Sequence, residues 1–166
     1  YFPIEGINVS SREIRRTGDY SKLAPPVRQF IAKHGLYPKE NPLGLLKEET
    51  HALLIGYQTK LFRELSRERL LHSLNTAVLC VRYAVRYGIS PDQAMVAGLL
   101  HYCAKQLPIA AQAAMARKII GEALPDNSLL HAPAGQVYAA EGYGVDDNAI
   151  LSAIRYHTTG RESMTT

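Results

Sequence analysis

The sequence predicts an all-α helical bundle over residues 42–166, preceded by a small α/β fragment over residues 1–41. From about Lys47 onward, apolar residues recur at helical spacing, helix-capping residues open and close the segments, and strand signals are absent. Residues 1–46 differ, because prolines interrupt them and they contain one short strand-like run, Ile7 to Val9. Such a fragment is too small to fold as a domain of its own and is expected to be the end of something larger.

Two short helices are expected within the fragment. The first follows Ser10 and Ser11, whose hydroxyls are good N-caps. The second runs from Pro25 to Gly35, because proline suits the first turn of a helix and glycine its end. Three apolar side chains of this second helix recur at positions i, i+3 and i+4 and are expected to face a core: Val27, Phe30 and Ile31.

Six helices are expected in the bundle, joined by short connections. Their ranges are 47–65, 66–88, 90–105, 108–124, 128–144 and 145–158. Ser66 and Ser90 are expected N-caps, Pro91 occupies a first helical turn, and Gly88 closes the second helix of the bundle.

Composition limits the classes of function. The 166 residues are 46% apolar, enough for one core, and no run of about 18 uncharged apolar residues predicts a membrane span. The first ten residues lack the basic region of a signal peptide, and two cysteines cannot form a disulfide framework, so a cytoplasmic setting is expected. A net charge of +4 is compatible with phosphate-bearing ligands but is too small to predict nucleic-acid binding.

Four of the six histidines occupy comparable places on successive predicted helices. His72 lies early in one helix, His101 late in the next, His131 early in a later helix, and His157 at the end of the last. Antiparallel neighbours could bring these imidazoles together, and imidazole binds Zn, Fe, Mn or Ni. A histidine flanked by apolar residues is also common as a buried, hydrogen-bonded side chain, so spacing alone leaves both interpretations open. We interpret the remaining two histidines as structural: His34 and His51.

The stretches RLLHSLNTA, MVAGLLHYCAK, LLHAPAG and ILSAIRYHTTGRESMT occur in this order within residues 47–166. Together they resemble the HD phosphohydrolase superfamily, and specifically the bacterial YqeK family, which cleaves diadenosine tetraphosphate symmetrically to ADP. The resemblance implies an HD-domain bundle that binds one or two divalent transition-metal ions, Fe, Mn or similar, and activates water. It implies four metal ligands: His72, His101, His131 and His157. It also implies that Lys105 is a catalytic cation and that three residues contact substrate phosphate: Arg69, Thr158 and Arg161.

The sequence departs from that family at two places. The His-Asp pair of the superfamily is here His101-Tyr102, and the final aspartate that the family carries further along the chain does not appear between His157 and Thr166. A phenol, whose ordinary pKa is about 10, does not replace a bridging carboxylate at neutral pH without strong activation. A second hypothesis is therefore a catalytically impaired HD module that binds nucleotide or metal without turnover.

The N-terminal motifs INVSSREIRR and LAPPVRQFIAKHGLYP resemble the end of bacterial nicotinate-nucleotide adenylyltransferases, which have a Rossmann-like fold. The resemblance implies a residual nucleotide-binding motif of Ser10, Ser11 and Arg15, with Arg12 in place of the family's threonine. It gives a third hypothesis, a bifunctional parent protein of NAD biosynthesis whose upstream half is required for adenylyl transfer. The expected partner is a nucleotide or dinucleotide polyphosphate rather than nucleic acid or membrane, and a homodimer stays open.

Overall fold

The computed structural model describes residues 19–34 and 42–162. The chain forms two compact units, residues 1–44 and 45–166. The expected strand at Ile7 to Val9, the first short helix and the motif residues Ser10, Ser11 and Arg15 lie outside the described residues. The assignment of residues 1–41 to a transferase tail stays a prediction.

The first unit contains helix α1, Pro25–Lys33, which begins with prolines in its first turn. The expectation that all three of its apolar side chains face a core is wrong. Ile31 is buried, but Val27 and Phe30 remain 46% and 57% exposed. The ring of Phe30 instead lies 4.3 Å from the imidazole of His34, centroid to centroid, one turn further along the helix. A 3-10 turn, Pro42–Leu45, follows at the junction of the units.

The second unit is the predicted six-helix bundle, and no β-strand occurs in the part of the chain that the structure describes. The helices are α2 (Glu48–Glu64), α3 (Arg67–Tyr87), α4 (Pro91–Leu100), α5 (Ile109–Ile120), α6 (His131–Tyr143) and α7 (Asn148–Tyr156). Among the described helices, none is long and apolar enough to cross a membrane.

Capping side chains set several helix ends where the sequence predicted them. The hydroxyl of Ser66 accepts from the backbone N–H of Arg69 at 3.4 Å, and that of Ser90 accepts from Gln93 at the same distance. Gly88 ends α3 in the left-handed region, with φ of 68°, which glycine adopts without a steric penalty.

Helix α4 ends at Leu100 rather than at the expected Lys105. The backbone N–H of Cys103 donates to the carbonyl of Leu100, and that of Lys105 donates to Tyr102, both at 2.9 Å. These tight turns replace the last helical turn, and they are held by the burial of Cys103 and Ala104. Three other helices are a few residues shorter than predicted. α5 ends at Ile120 rather than at residue 124, α6 begins at His131 rather than at residue 128, and α7 begins at Asn148 rather than at residue 145.

The core lies between α2, α3, α4, α6 and α7. The largest fully buried aliphatic side chains come from four helices and from the residue directly before α6: Leu61, Val81, Leu99, Leu100, Ile154 and Leu130. α4 packs against both α3 and α7, and α6 packs against both α5 and α7. Gly98 permits the approach of α4 to α3, because a Cβ there would lie 2.8 Å from the Cα of Ala77.

A polar cluster ties α2 to α6 beside this core. The carboxylate of Glu64 accepts from the hydroxyl of Tyr138 at 2.7 Å and from that of Tyr143 at 2.5 Å. The ammonium of Lys60 donates to the carbonyl of Gly142 and lies 4.2 Å from the centre of the Tyr143 ring. A carboxylate that serves two hydroxyls in this way satisfies polar groups that would otherwise be costly to bury.

Candidate metal centre

The helix packing brings the four histidines named from the sequence to one place. His72 lies in the second turn of α3, His101 directly follows α4, His131 is the first residue of α6, and His157 directly follows α7. Each ring contact matches a packed helix pair. The ring centroids are 5.0 Å apart for His72 and His101, 5.1 Å for His101 and His157, and 5.0 Å for His131 and His157. The expected convergence of helix starts and ends therefore occurs.

The histidine side chains meet through their Nε2 atoms. The Nε2 atoms of His72 and His101 are 3.1 Å apart, and those of His131 and His157 are also 3.1 Å apart. The inner rings of His101 and His131 are 6% and 2% exposed, whereas His72 and His157 are open to solvent. The centre is therefore anchored on one side in the core and accessible on the other.

Backbone carbonyls orient three of the rings. The Nδ1 atom of His101 lies 2.7 Å from the carbonyl of Gly98, that of His131 lies 2.9 Å from Ser128, and that of His157 lies 2.7 Å from Ile154. In each case the carbonyl belongs to the residue three positions earlier. A proton on Nδ1 that donates to a carbonyl leaves the Nε2 lone pair free, which is the usual arrangement for a histidine that binds metal.

Burial keeps these imidazoles neutral. Desolvation lowers the pKa of His101 to about 4. The hydrogen bond with the Gly98 carbonyl opposes this shift, and the charges of His157 and His72 add to it. Desolvation also lowers the pKa of His131 to about 4, with the ammonium of Lys105 as the next cause. The pKa of His157 is lowered for the same principal reason. Neutral imidazole is the form that coordinates a cation.

Tyr102 stands in the middle of this cluster. Its ring centroid lies 4.3 Å from that of His101, 4.8 Å from His72, 5.1 Å from His131 and 5.9 Å from His157. The residue that replaces the superfamily's aspartate therefore packs its aromatic ring against all four imidazoles.

Lys105 reaches the centre from the turn after α4. Its ammonium donates to the carbonyl of Ser128 at 3.0 Å and lies 3.0 Å from the Nδ1 atom of His131. That Nδ1 atom can take one role at a time, donor to the carbonyl or acceptor from the ammonium. Arg69 is near enough for its positive charge to lower the pKa of Lys105, after desolvation as the larger cause. Two cations thus border the histidines.

Other expected phosphate contacts lie further along the chain. Thr158 and Arg161 are exposed in the turn after α7. The guanidinium of Arg161 lies 5.0 Å from the centre of the Tyr156 ring, so it stacks on that ring in this structure. His51 is exposed on α2, and no hydrogen bond or ring contact joins it to the four clustered histidines in the described part of the chain. His34 closes α1 in the first unit.

The donor set fits a divalent transition metal in its chemistry. Two nitrogen ligands about 2.0–2.1 Å from one ion stand about 2.9–3.4 Å apart for octahedral or tetrahedral angles, and the observed Nε2 separations of 3.1 Å fall in that range. Among the described residues, however, no three His, Cys, Asp or Glu side chains already form one closed set of ligands. The Nε2 atoms approach as two pairs, and the exposed members of each pair are those with room to adjust.

Some elements of the site had no sequence prediction. The carbonyls of Gly98, Ser128 and Ile154 orient the rings. Each belongs to the residue three positions before a histidine at the start or end of a helix, and this spacing is the sequence signal that could have predicted the contact. The close contact of Gly98 with Ala77 also escaped prediction, although a glycine inside a helix often marks close packing.

Comparisons with known proteins agree with this arrangement. Residues 69–165 match the HD domain family. A Bacillus subtilis (strain 168) protein named "Bis(5'-nucleosyl)-tetraphosphatase, symmetrical" is 33% identical over 109 residues, which are 62% of this chain and 57% of that protein. A Mycoplasma pneumoniae protein named "Probable nicotinate-nucleotide adenylyltransferase/Ap4A hydrolase" is 26% identical over 158 residues, which are 95% of this chain and 40% of that protein.

A solved structure shares the fold. It is the crystal structure of a predicted HD superfamily hydrolase involved in NAD metabolism from Clostridium acetobutylicum. The two chains superpose with a TM-score of 0.62 and are 35% identical, and the match covers 68% of this chain and 61% of that one. The chain spans about half the length of the curated relatives it matches. HD domains generally depend on divalent metal ions. The family match covers more than half of the chain and includes all four clustered histidines, and the chain belongs to the HD-domain family.

Proposed function

We propose that residues 42–166 form a metal-dependent phosphohydrolase domain that cleaves diadenosine tetraphosphate symmetrically to ADP. The observation that carries the proposal is the convergence of four histidine Nε2 atoms, in pairs 3.1 Å apart, beside the ammonium of Lys105. One relative named as a symmetrical bis(5'-nucleosyl)-tetraphosphatase and another whose name includes Ap4A hydrolase support the choice of substrate.

Four residues would hold the ion: His72, His101, His131 and His157. A bound divalent ion would activate water and polarise a phosphoryl oxygen. Lys105 has three N–H donors, of which one is used by the carbonyl of Ser128 and a second faces the Nδ1 atom of His131, so at least one is available to a phosphate oxygen. Arg69 adds a second cation on the α3 side, and a guanidinium binds phosphate through paired hydrogen bonds. We propose Thr158 and Arg161 as further phosphate contacts at the exposed side of the centre.

Product analysis tests this function. The chain, loaded in turn with Fe²⁺, Co²⁺, Zn²⁺ or Mn²⁺, is incubated with diadenosine tetraphosphate, and the nucleotides are separated by chromatography. We expect ADP as the only product with at least one ion. His101→Ala should reduce the rate by at least about a hundredfold, because a ligand is lost, whereas His51→Ala should leave it unchanged. ATP with AMP as products, or equal loss in both variants, would contradict the proposal.

A second candidate function is a nucleotide- or metal-binding HD module without turnover. The position of Tyr102 favours it, because its ring lies against every histidine of the cluster. This function predicts that diadenosine tetraphosphate binds to the wild-type chain without forming ADP, and that Tyr102→Asp gains hydrolysis. Turnover by the wild-type chain would exclude it.

For residues 1–41 we propose an origin in a nicotinate-nucleotide adenylyltransferase. The supporting observation is that the *Mycoplasma pneumoniae* relative, whose name includes this activity, matches 95% of the chain. The proposal predicts no adenylyl transfer by the 166 residues alone. It also predicts transfer from ATP to nicotinate mononucleotide when the upstream mononucleotide-binding half is joined to them. Absence of transfer by the joined protein would overturn it.

A further inference from the structure

No carboxylate of the described residues lies in hydrogen-bonding or ion-pair contact with the four clustered histidines. Their ring nitrogens contact one another, the ammonium of Lys105, and the carbonyls of Gly98, Ser128 and Ile154. The ring at the position next to His101 is the phenol of Tyr102. The described part of the centre therefore offers imidazole nitrogen, an aromatic ring and cations, but no anionic oxygen.

This composition restricts how many ions the centre can hold. Two divalent ions a few ångströms apart bring four positive charges together, and the di-metal sites of helical bundles offset such charge with carboxylate ligands. Here the residue at the position of the superfamily's aspartate is Tyr102, whose ring packs 4.3 Å from that of His101 and 4.8 Å from that of His72. The ammonium of Lys105, 3.0 Å from His131, adds to the positive charge.

The same composition restricts which ion is bound. Imidazole suits Zn, Cu, Fe and Ni, whereas carboxylates, carbonyls and water suit Mg and Mn. Mn²⁺ also stands at the weak end of the affinity order of the divalent first-row metals. A centre built from neutral nitrogen ligands gives Mn²⁺ and Mg²⁺ little of the oxygen coordination that they prefer.

We propose that the centre holds a single divalent ion on histidine nitrogen, and that Tyr102 determines both this stoichiometry and a preference for nitrogen-binding ions over Mn²⁺ and Mg²⁺. This inference rests on the metal centre of the proposed function. Tyr102 acts as a specificity-determining residue: its ring occupies the place of a bridging carboxylate and contributes no charge to a second ion.

Titration with Co²⁺, followed by its visible absorption bands, tests the proposal without any enzymatic assay. We expect the absorbance of the metal-stripped chain to rise to a break at one Co²⁺ per chain, and a large excess of Mn²⁺ to leave the bands intact. Tyr102→Asp should bind a second equivalent, and Mn²⁺ should compete at least about tenfold better, because the new carboxylate supplies hard oxygen ligands. Tyr102→Phe keeps the ring and should retain one equivalent.

The outcomes separate this inference from the proposed metal centre. Absence of Co²⁺ binding by the wild-type chain, or undiminished binding by His101→Ala, would overturn the centre itself. A break at two equivalents, or ready displacement by Mn²⁺, would overturn the inference alone. A second equivalent bound by Tyr102→Phe, or unchanged behaviour of a folded Tyr102→Asp, would remove the role of Tyr102. The wild-type titration needs no substitution, so it decides stoichiometry and selectivity even if Tyr102→Asp does not fold.

Discussion

The substitution Gly98→Ala tests whether the close packing of α4 on α3 holds the histidine cluster together. The added Cβ would lie 2.8 Å from the Cα of Ala77, which is 0.6 Å short of the 3.4 Å at which ordinary contact begins. The sulfur of Cys80 would be 3.1 Å away. Because the nearest atom belongs to the backbone of α3, a side-chain rotation cannot relieve the contact and the helices must separate.

The expected cost follows from this shortfall. Overpacking of a core costs about 1–3 kcal/mol, and a contact against backbone belongs at the upper end of this range, whereas the higher helix propensity of alanine returns about 1 kcal/mol. A net loss of about 2 kcal/mol lowers the Tm by about 4–8 °C for a chain of this size. The same movement separates His72 from His101, whose Nδ1 contacts the carbonyl of Gly98, so Co²⁺ affinity should fall about tenfold.

The assay is thermal unfolding followed by circular dichroism, together with the Co²⁺ titration. Gly56→Ala is the matched control, because Gly56 lies within α2 and a Cβ there meets nothing within 4 Å. This control should raise the Tm by about 2–4 °C through helix propensity alone, and it should leave Co²⁺ affinity unchanged. If Gly98→Ala were as stable as the wild-type chain and bound Co²⁺ equally well, the reasoning on helix approach would be refuted.

Two further predictions concern stability. Glu64→Ala removes the acceptor of the hydroxyls of Tyr138 and Tyr143 and should lower the free energy of unfolding in urea by about 2–4 kcal/mol. Glu64→Gln should lower it less because one acceptor oxygen remains. Equal losses in the two variants would argue against the hydrogen bonds as the cause. Asp147 caps α7, and the Gln93 side chain is the first cause that lowers the pKa of its carboxyl. The stability that the Asp147 carboxylate contributes is therefore present above the ordinary aspartate pKa, and it is lost as the pH falls through the lowered pKa. Asp147→Ala should cost about 1 kcal/mol at neutral pH and less at about pH 3, and a pH-independent cost would contradict this.

The sequence predicted the bundle because its signals are local. Ser66, Ser90 and Gly88 mark helix ends through their own side chains or backbone freedom, and the structure places helix boundaries at them. The spacing of the histidines left a cluster and separate buried side chains both open, and only the resemblance to the HD superfamily favoured the cluster. Short connections make sequential helices neighbours, but the contact of His101 with His157 depends on the packing of α4 against α7, which are not sequential.

Other features depend on tertiary contacts that leave no local signal. Nothing in Tyr102 to Lys105 breaks a helix, yet α4 ends at Leu100 and tight turns follow, in which Cys103 and Ala104 are buried. These turns direct Tyr102 and Lys105 toward the histidines. In the first unit, the exposure of Val27 and Phe30 likewise could not be inferred from their spacing, which fits a buried helix face equally well.

Equilibrium dialysis of Zn²⁺ against single histidine variants tests the central claim most directly. The claim predicts that the wild-type chain retains one ion after dialysis against trace Zn²⁺. It also predicts that alanine in place of each clustered histidine weakens binding by at least about tenfold. His51→Ala, on the exposed side of α2, and His34→Ala, at a residue interpreted as structural from the sequence, should bind as the wild-type chain does. A wild-type chain that retains no Zn²⁺, or clustered-histidine variants that match the two controls, would contradict the claim that these four residues form a metal centre.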